Sequence, residues 1–434
     1  MNIILLSGGS GKRLWPLSNN VRSKQFIKIF KTENGEYESM IQRMYRMIKT
    51  VDKDAVITVA TSKSQVSSIH NQIGDDVGIS VEPTRRDTFP AMALASAYLR
   101  DIKSVSFDEI VLVCPVDPYV NEDFFRSLKE LADIAENNEF NLSLMGINPT
   151  YPSEKYGYII PENTNKVSRV LTFKEKPDEK NAEKYIKQGA LWNSGVFAFK
   201  LGYLLEKSKK LLGSCEYKFL FDNYSELKKI SFDYAVVEQE KDIQVLKFSG
   251  EWKDLGTWNT LAESMSDTTV GDVTLNDNCK NVRVINELDT PILAMGLSDV
   301  VISASPNGIL VSDMHQSSFI KPYVDKIDDR IMFAEKSWGY FKIIDVGTNS
   351  LTIKVTLKQG NKMNYHSHKN RDEVWVVTSG QGTVTLDGAT SKVNIGDIVK
   401  MKAGCKHTVY ADTELQLIEV QIGEDITVSD KEKF

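Results

Sequence analysis

The first half of the chain alternates short apolar runs with longer stretches whose apolar positions recur at helical spacing. Runs at 3–6, 55–60 and 109–114 predict strands, and 90–103 and 123–136 predict helices. Alternation of this kind implies βαβ units around a doubly wound, mostly parallel sheet, an α/β architecture that gathers ligands at the carboxyl ends of its strands.

Near Gly271 the texture changes to short β-rich pieces at 281–285, 300–303 and 308–311, separated by Asn, Asp, Gly and Pro. Closely spaced short strands suggest a β-helix-like connector, although no strict internal period accompanies them. From Trp338-Gly339 to Gly423 apolar and polar residues alternate between turn signals, an all-β pattern. The expected division is therefore 1–268, 269–334 and 335–434.

Composition narrows the class. A chain of 434 residues exceeds what one core usually organises, and 41% hydrophobic with 26% charged residues fits a globular enzyme. A formal charge of -6 without a dense basic tract argues against a nucleic-acid partner. No apolar run approaches membrane-span length, and the opening run gives way at once to glycines, unlike a secretory signal. Cys114, Cys215, Cys279 and Cys405 are scattered and form no CxxC pair, so a reducing cytoplasm is the expected location.

Phosphate recognition, if present, must be local, and the N-terminus supplies a place for it. Leu6-Ser7-Gly8-Gly9-Ser10-Gly11-Lys12-Arg13-Leu14-Trp15-Pro16-Leu17-Ser18 follows the first apolar run, with Lys24-Gln25-Phe26 close behind. Glycine lets the backbone turn tightly and bring its amides to an anion. The spacing fails the G-x-x-x-x-G-K-[ST] loop, since Leu6 and Arg13 stand where glycine and a hydroxyl are needed. It also fails the G-x-G-x-x-G dinucleotide loop, because Leu14 follows where the third glycine belongs. What remains resembles the signature of the sugar-nucleotide pyrophosphorylases, and most of all the mannose-1-phosphate guanylyltransferases.

Nucleotidyl transfer asks the protein mainly for positioning and charge. The apolar run 111–116 ends in Asp117, the expected way to present a hard oxygen ligand to Mg²⁺. The resemblance implies that Asp254, in Trp252-Lys253-Asp254-Leu255-Gly256, is the second Mg²⁺ ligand and that Arg13 and Lys24 are catalytic. It implies nucleotide binding by Leu6, Ser7, Gly8, Gly9, Gly11, Lys12 and Arg13, joined by Glu82, Arg86, Asp87 and Thr88 of Glu82-Pro83-Thr84-Arg85-Arg86-Asp87-Thr88. The sugar phosphate falls to Gly157, to Glu175 and Lys176 of Phe173-Lys174-Glu175-Lys176-Pro177, to Asn193 and to Asp233. The chain departs from the family where Lys12 replaces threonine, Ser23 replaces proline, Asp87 replaces asparagine and Pro118 replaces histidine.

The C-terminal segment resembles a cupin. Gly360, His366, His368, Glu373 and Gly380 follow its first motif, and Gly396, Gly404 and His407 its second. Histidines at i and i+2 point to one side of a strand, so His366 and His368 can converge with Glu373 and His407 on Zn²⁺ or another divalent metal inside a barrel. The nearer likeness is to the type II mannose-6-phosphate isomerase domain, although Val374 stands where that family has histidine. In the guanylyltransferase family that the N-terminal half resembles, a short left-handed β-helix occupies the place of the connector.

The expected reaction is GTP plus mannose 1-phosphate to GDP-mannose and pyrophosphate, supplying cell-surface polysaccharide synthesis from a homo-oligomeric enzyme. Alternatives are another nucleotide or sugar 1-phosphate, an added isomerase activity, and a non-catalytic sugar-nucleotide sensor.

Overall fold

The computed structural model describes residues 1–9, 12–19, 21–137, 140–327, 330–424, 426–427 and 430–434. Two units interleave along the sequence. The first comprises Met1–Ser10, Lys24–Val66 and Ile73–Ser266; the second comprises Gly11–Ser23, Ser67–Gln72 and Asp267–Phe434.

The first unit is built on a nine-stranded sheet. From edge to edge its strands are Gly78–Glu82, Val56–Ser62, Asn2–Ser7, Ile110–Pro115, Leu191–Lys200, Leu142–Ile147, Ile243–Phe248, Val167–Lys174 and Tyr158–Pro161. Only Leu191–Lys200 and Val167–Lys174 run against the others. The mostly parallel α/β sheet expected from the alternation is therefore present. Ile4 pairs with Thr58 on one side and Val113 on the other, and Ile3, Ile4 and Leu5 are fully buried. A parallel strand covered on both faces needs such an unbroken apolar run. The helix Thr88–Asp101 is buried over nearly its whole surface by Phe89, Ala91, Met92, Ala93 and Leu94. It extends two residues before the predicted start because Asp87 caps it, accepting from Thr88 N at 2.8 Å.

In the second unit, Thr269–Val270, Lys280–Asn286 and Ser298–Ser305 stack in parallel, as do Val273–Leu275 and Ile292–Ala294 on another face. Val282, Val284, Ala294 and Ile302 fill the interior of these coils. Gly271 sits at φ +86°, and a Cβ there would meet Asn286 O at 2.0 Å, so only glycine can make that corner. Segment 12–22 packs on this stack. Arg22 donates to both carboxylate oxygens of Glu287, at 2.7 and 2.9 Å, and Ser305 Oγ donates to Pro16 O at 2.8 Å.

The rest of the unit is a barrel of two sheets. Six strands run in the order Phe333–Lys336, Gly339–Val346, Ser350–Leu357, Leu415–Gly423, Arg371–Ser379, Ile398–Met401. Five run in the order Ala389–Val393, Gly382–Leu386, His407–Ala411, His366–His368, Lys431–Lys433. Trp375, Val377, Val384, Val409 and Leu417 are buried in its core. Among the described residues no helix is long and apolar enough to cross a membrane.

Candidate functional site

Strand Ile110–Pro115 delivers Asp117 just past its carboxyl end. A two-stranded ladder follows, in which Pro118–Val120 pairs antiparallel with Trp252–Asp254 and sets Asp254 opposite Pro118. Two aspartates distant in sequence thus become neighbours. Between them stands Lys24, whose Nζ is 2.9 Å from Asp117 Oδ2 and 3.8 Å from Asp254 Oδ1, and donates to Leu255 O at 3.2 Å.

Lys24 is aimed by its neighbour. Gln25 is buried in the turn Lys24–Phe26, and its Nε2 donates to Ser7 Oγ at 3.0 Å and Gln65 Oε1 at 3.1 Å. That pair of bonds fastens the turn to the carboxyl end of the first strand. Gly9 follows at φ +117°, a left-handed conformation that explains the glycine there, and its carbonyl accepts from Arg85 Nη2 at 3.2 Å.

The two aspartates open into a cleft of about 210 Å³ lined also by Tyr156, Gly157, Glu175, Asn193, Asp233 and Trp252. Asn193 lies on a bulge in its strand and donates from Nδ2 to Asp233 Oδ1 at 2.7 Å. Glu175 is ion-paired with Lys176, which occupies a left-handed turn at φ +46°. A Cβ on Gly157 would meet Glu175 Oε2 and Phe173 Cζ at 2.6 Å, so the absence of a side chain lets these groups close in. Burial, with the like charge of Glu175 added, pushes the Asp233 carboxyl up to about 7. The Lys176 ammonium is raised: burial works against it, and bonding to Glu175 more than compensates.

The other predicted nucleotide residues form a second cluster. Tyr224 OH donates to Glu82 Oε2 at 2.7 Å, and burial raises the Glu82 carboxyl. Thr88 Oγ1 accepts from Phe232 N at 2.8 Å, and Asp87 Oδ1 is engaged as a helix cap. Lys12 pairs with Asp325 at 3.2 Å, and Arg13 is exposed on the turn Lys12–Leu14; both are counted with the second unit. Gly11 lies outside the described residues.

Sequence reasoning did not single out Tyr156, Trp252, Tyr224 or Arg85. Tyr156 and Trp252 flank Gly157 and Asp254 in the motifs themselves, and their ring centroids are 5.6 Å apart. Proximity to a motif residue in sequence was the available signal for both.

In the barrel, His366, His368 and His407 are buried with one nitrogen of each within 4.8 Å of the others, an arrangement able to hold a metal ion. Glu373 joins them, Oε1 at 3.1 Å from His368 Nε2 and Oε2 at 3.3 Å from His407 Nε2. His366 Nδ1 lies 2.6 Å from Asn364 O and His407 Nδ1 2.9 Å from Cys405 O. A carbonyl can only accept, so each ring carries a proton on Nδ1 and turns Nε2 inward, the nitrogen a metal would take. Burial, aided by Lys431 and His407, pushes His366 down to about 3 and keeps it neutral. Among the described residues Glu373 Oε2 and His407 Nε2 are buried, face one another at 3.3 Å and make no well-formed hydrogen bond, so both remain able to ligate a cation.

Known proteins share both halves. A family model described as nucleotidyl transferase matches residues 2–270, and one described as the C-terminal part of mannose-6-phosphate isomerase matches 328–434. A Vibrio cholerae serotype O1 protein provisionally described as a mannose-1-phosphate guanylyltransferase is 30% identical over 99% of this chain and 98% of its own length. The mannose-1-phosphate guanylyltransferase of Escherichia coli strain K12 is 28% identical over 99% of this chain and 97% of its own. The crystal structure of a Thermus thermophilus protein, described as a mannose-1-phosphate geranyltransferase, is 26% identical and superposes with a TM-score of 0.61 over 75% of this chain and 98% of that one.

Proposed function

This chain belongs to the nucleotidyl transferase family, and on that premise we propose that it converts GTP and mannose 1-phosphate to GDP-mannose and pyrophosphate. The observation carrying the reading is the placement of Lys24 between Asp117 and Asp254 at a cleft whose other walls are Glu175, Asn193 and Asp233.

Two carboxylates converging on one cation suit a hard divalent ion, and we assign Asp117 and Asp254 as the Mg²⁺ ligands. Bound there, Mg²⁺ would neutralise phosphate charge. Lys24 stabilises the charge that develops at the α-phosphate as a sugar-phosphate oxygen attacks in line and pyrophosphate leaves. Arg13, Lys12 and the amides of the glycine loop at Leu6, Ser7, Gly8, Gly9 and Gly11 take the remaining phosphates. Glu82, Arg86, Asp87 and Thr88 take the nucleoside, with Tyr224 fixing Glu82. Glu175 and Asn193 accept from or donate to sugar hydroxyls, and Lys176 meets the sugar phosphate as a point charge. No side-chain nucleophile is required.

A panel crossing the four nucleoside triphosphates with several sugar 1-phosphates tests the assignment. Pyrophosphate release led by GTP with mannose 1-phosphate supports it, and a different leading pair replaces it.

For the barrel we propose a divalent metal, Zn²⁺ first, on His366, His368, Glu373 and His407, within a domain beginning near 335 after a connector from 269. The family match over 328–434 favours mannose 6-phosphate isomerisation as a second activity. That activity must vanish in His366→Ala, and its absence from metal-loaded wild-type protein removes it. The exposed Ile309 and Val311 on the edge strand Gly308–Asp313 support a homo-oligomer, to be read by sedimentation. The product serves polysaccharide synthesis in the cytoplasm.

A further inference from the structure

Two of the three barrel histidines are oriented by main-chain carbonyls, and the third is not. Among the described residues His368 Nδ1 is buried and has no hydrogen-bond partner. Facing it at 3.9 Å is Asp430 Oδ2, equally buried and without a hydrogen bond, with Arg371 Nη1 3.6 Å away as its ion-pair partner. An atom able to donate thus faces one able to accept, and a hydrogen bond between them would satisfy both.

The tautomer of His368 follows from its other nitrogen. Arg371 Nη2 is 3.1 Å from His368 Nε2, and a guanidinium can only donate. Glu373 Oε1, which can only accept, lies equally close to Nε2 at 3.1 Å, so the tautomer is set when a metal takes Nε2, and the ring then carries its proton on Nδ1, toward Asp430.

Asp430 is itself rigidly held. Its Oδ1 accepts from Lys369 N at 2.8 Å and Asn370 N at 3.0 Å, on the turn just after His368. The strand Lys431–Lys433 then pairs antiparallel with His366–His368, setting Lys431 opposite His368 and Lys433 opposite His366. Phe434 N donates to Tyr365 O at 3.0 Å, and Arg371 Nη1 donates to Thr427 O at 3.1 Å. The stretch 430–434 is fastened along the whole histidine strand.

We propose that the strand Lys431–Lys433 is a wall of the barrel's metal site and that Asp430 is the positioning carboxylate for His368. The inference rests on the reading of the histidines as metal ligands. A cation on His368 Nε2 displaces Arg371 from that nitrogen and strengthens Nδ1–H as a donor, and closure of the 3.9 Å gap completes a carboxylate–histidine–metal chain. His366 and His407 obtain the same support from Asn364 O and Cys405 O.

Asp430→Asn isolates the claim, because an amide oxygen keeps the acceptor for Lys369 N and Asn370 N while its NH₂ group turns a donor toward Nδ1–H. Zn²⁺ titration of the full chain against a competing chelator should show about 10- to 100-fold weaker binding for this variant, with metal-free thermal unfolding and pyrophosphate release unchanged. Wild-type affinity in Asp430→Asn overturns the proposal. Failure of the wild-type chain to take up Zn²⁺ overturns the underlying metal reading instead. Should Asp430→Asn not fold, the ¹⁵N shifts of His368 in Zn²⁺-loaded wild-type protein decide: a protonated Nδ1 supports the proposal and a metal-bound Nδ1 defeats it.

Discussion

Lys24 Nζ lies 2.9 Å from Asp117 Oδ2 and 3.8 Å from Asp254 Oδ1, so its ammonium is the cation that neutralises the acidic pair. Substitutions at the two ends of this contact should then act oppositely on the Mg²⁺ requirement. Lys24→Ala should lower pyrophosphate release about a hundredfold or more while less Mg²⁺ is needed for half-saturation, since a competing ammonium has gone. Asp117→Asn should lower the rate comparably and raise the Mg²⁺ needed. Initial rates across a Mg²⁺ series check both, and parallel shifts in the two variants would break the assignment.

Asp233 supplies a pH dependence. Its folded-state value of about 7 lies above the ordinary 3.8, so the neutral carboxyl is favoured in the fold and that contribution to stability is lost as pH rises through 7. Below 7 the carboxyl can donate to a sugar oxygen; above it, a negative charge stands beside the incoming phosphate. KM for mannose 1-phosphate should rise between pH 6 and 8, and Asp233→Asn should flatten the profile. A profile that keeps its slope in Asp233→Asn assigns the titration elsewhere.

Gly157→Ala tests the close approach at the sugar cleft. A methyl group would meet Glu175 Oε2 and Phe173 Cζ at 2.6 Å, and overpacking of this kind costs about 1–3 kcal/mol. We expect a roughly tenfold higher KM for mannose 1-phosphate, the equivalent of about 1.4 kcal/mol, with KM for GTP unchanged. Steady-state kinetics in both substrates decides it.

The Arg22–Glu287 pair is testable by stability. Removing one partner of a buried pair costs about 3–5 kcal/mol, and the 25% exposure of Glu287 reduces the expectation here to about 2. Arg22→Met should lower the denaturant midpoint, and adding Glu287→Met should recover part of the loss because no charge is then left unpaired. Additive losses in the double variant would show that the two residues act independently.

The sequence made some of this legible. Strands predicted at 55–60 and 109–114 appear as Val56–Ser62 and Ile110–Pro115, because an apolar run bounded by polar turns is a local signal. Asp117 could be read as a strand-end carboxylate for the same reason. What joins it to Asp254 could not: the ladder of Pro118–Val120 with Trp252–Asp254 is three residues long on each side, too short for a period and specified only by distant pairing. Pro118, read as a departure from the family, is the ladder partner of Asp254. The histidine spacing gave the metal cluster, whereas Asp430 sits in a C-terminal stretch whose sequence has no motif and acquires meaning only through the register of Lys431 opposite His368.

Arg22 and Glu287 are separated by 265 positions. During synthesis at about 5–20 residues per second, Arg22 must wait roughly 13 to 53 s for its carboxylate to be made. Segment 12–22 therefore emerges from the ribosome well ahead of the coils that bury it. Vectorial folding can finish the strand order of the nine-stranded sheet first and seat this segment last, so the order of synthesis and the order of burial are reversed for Arg22.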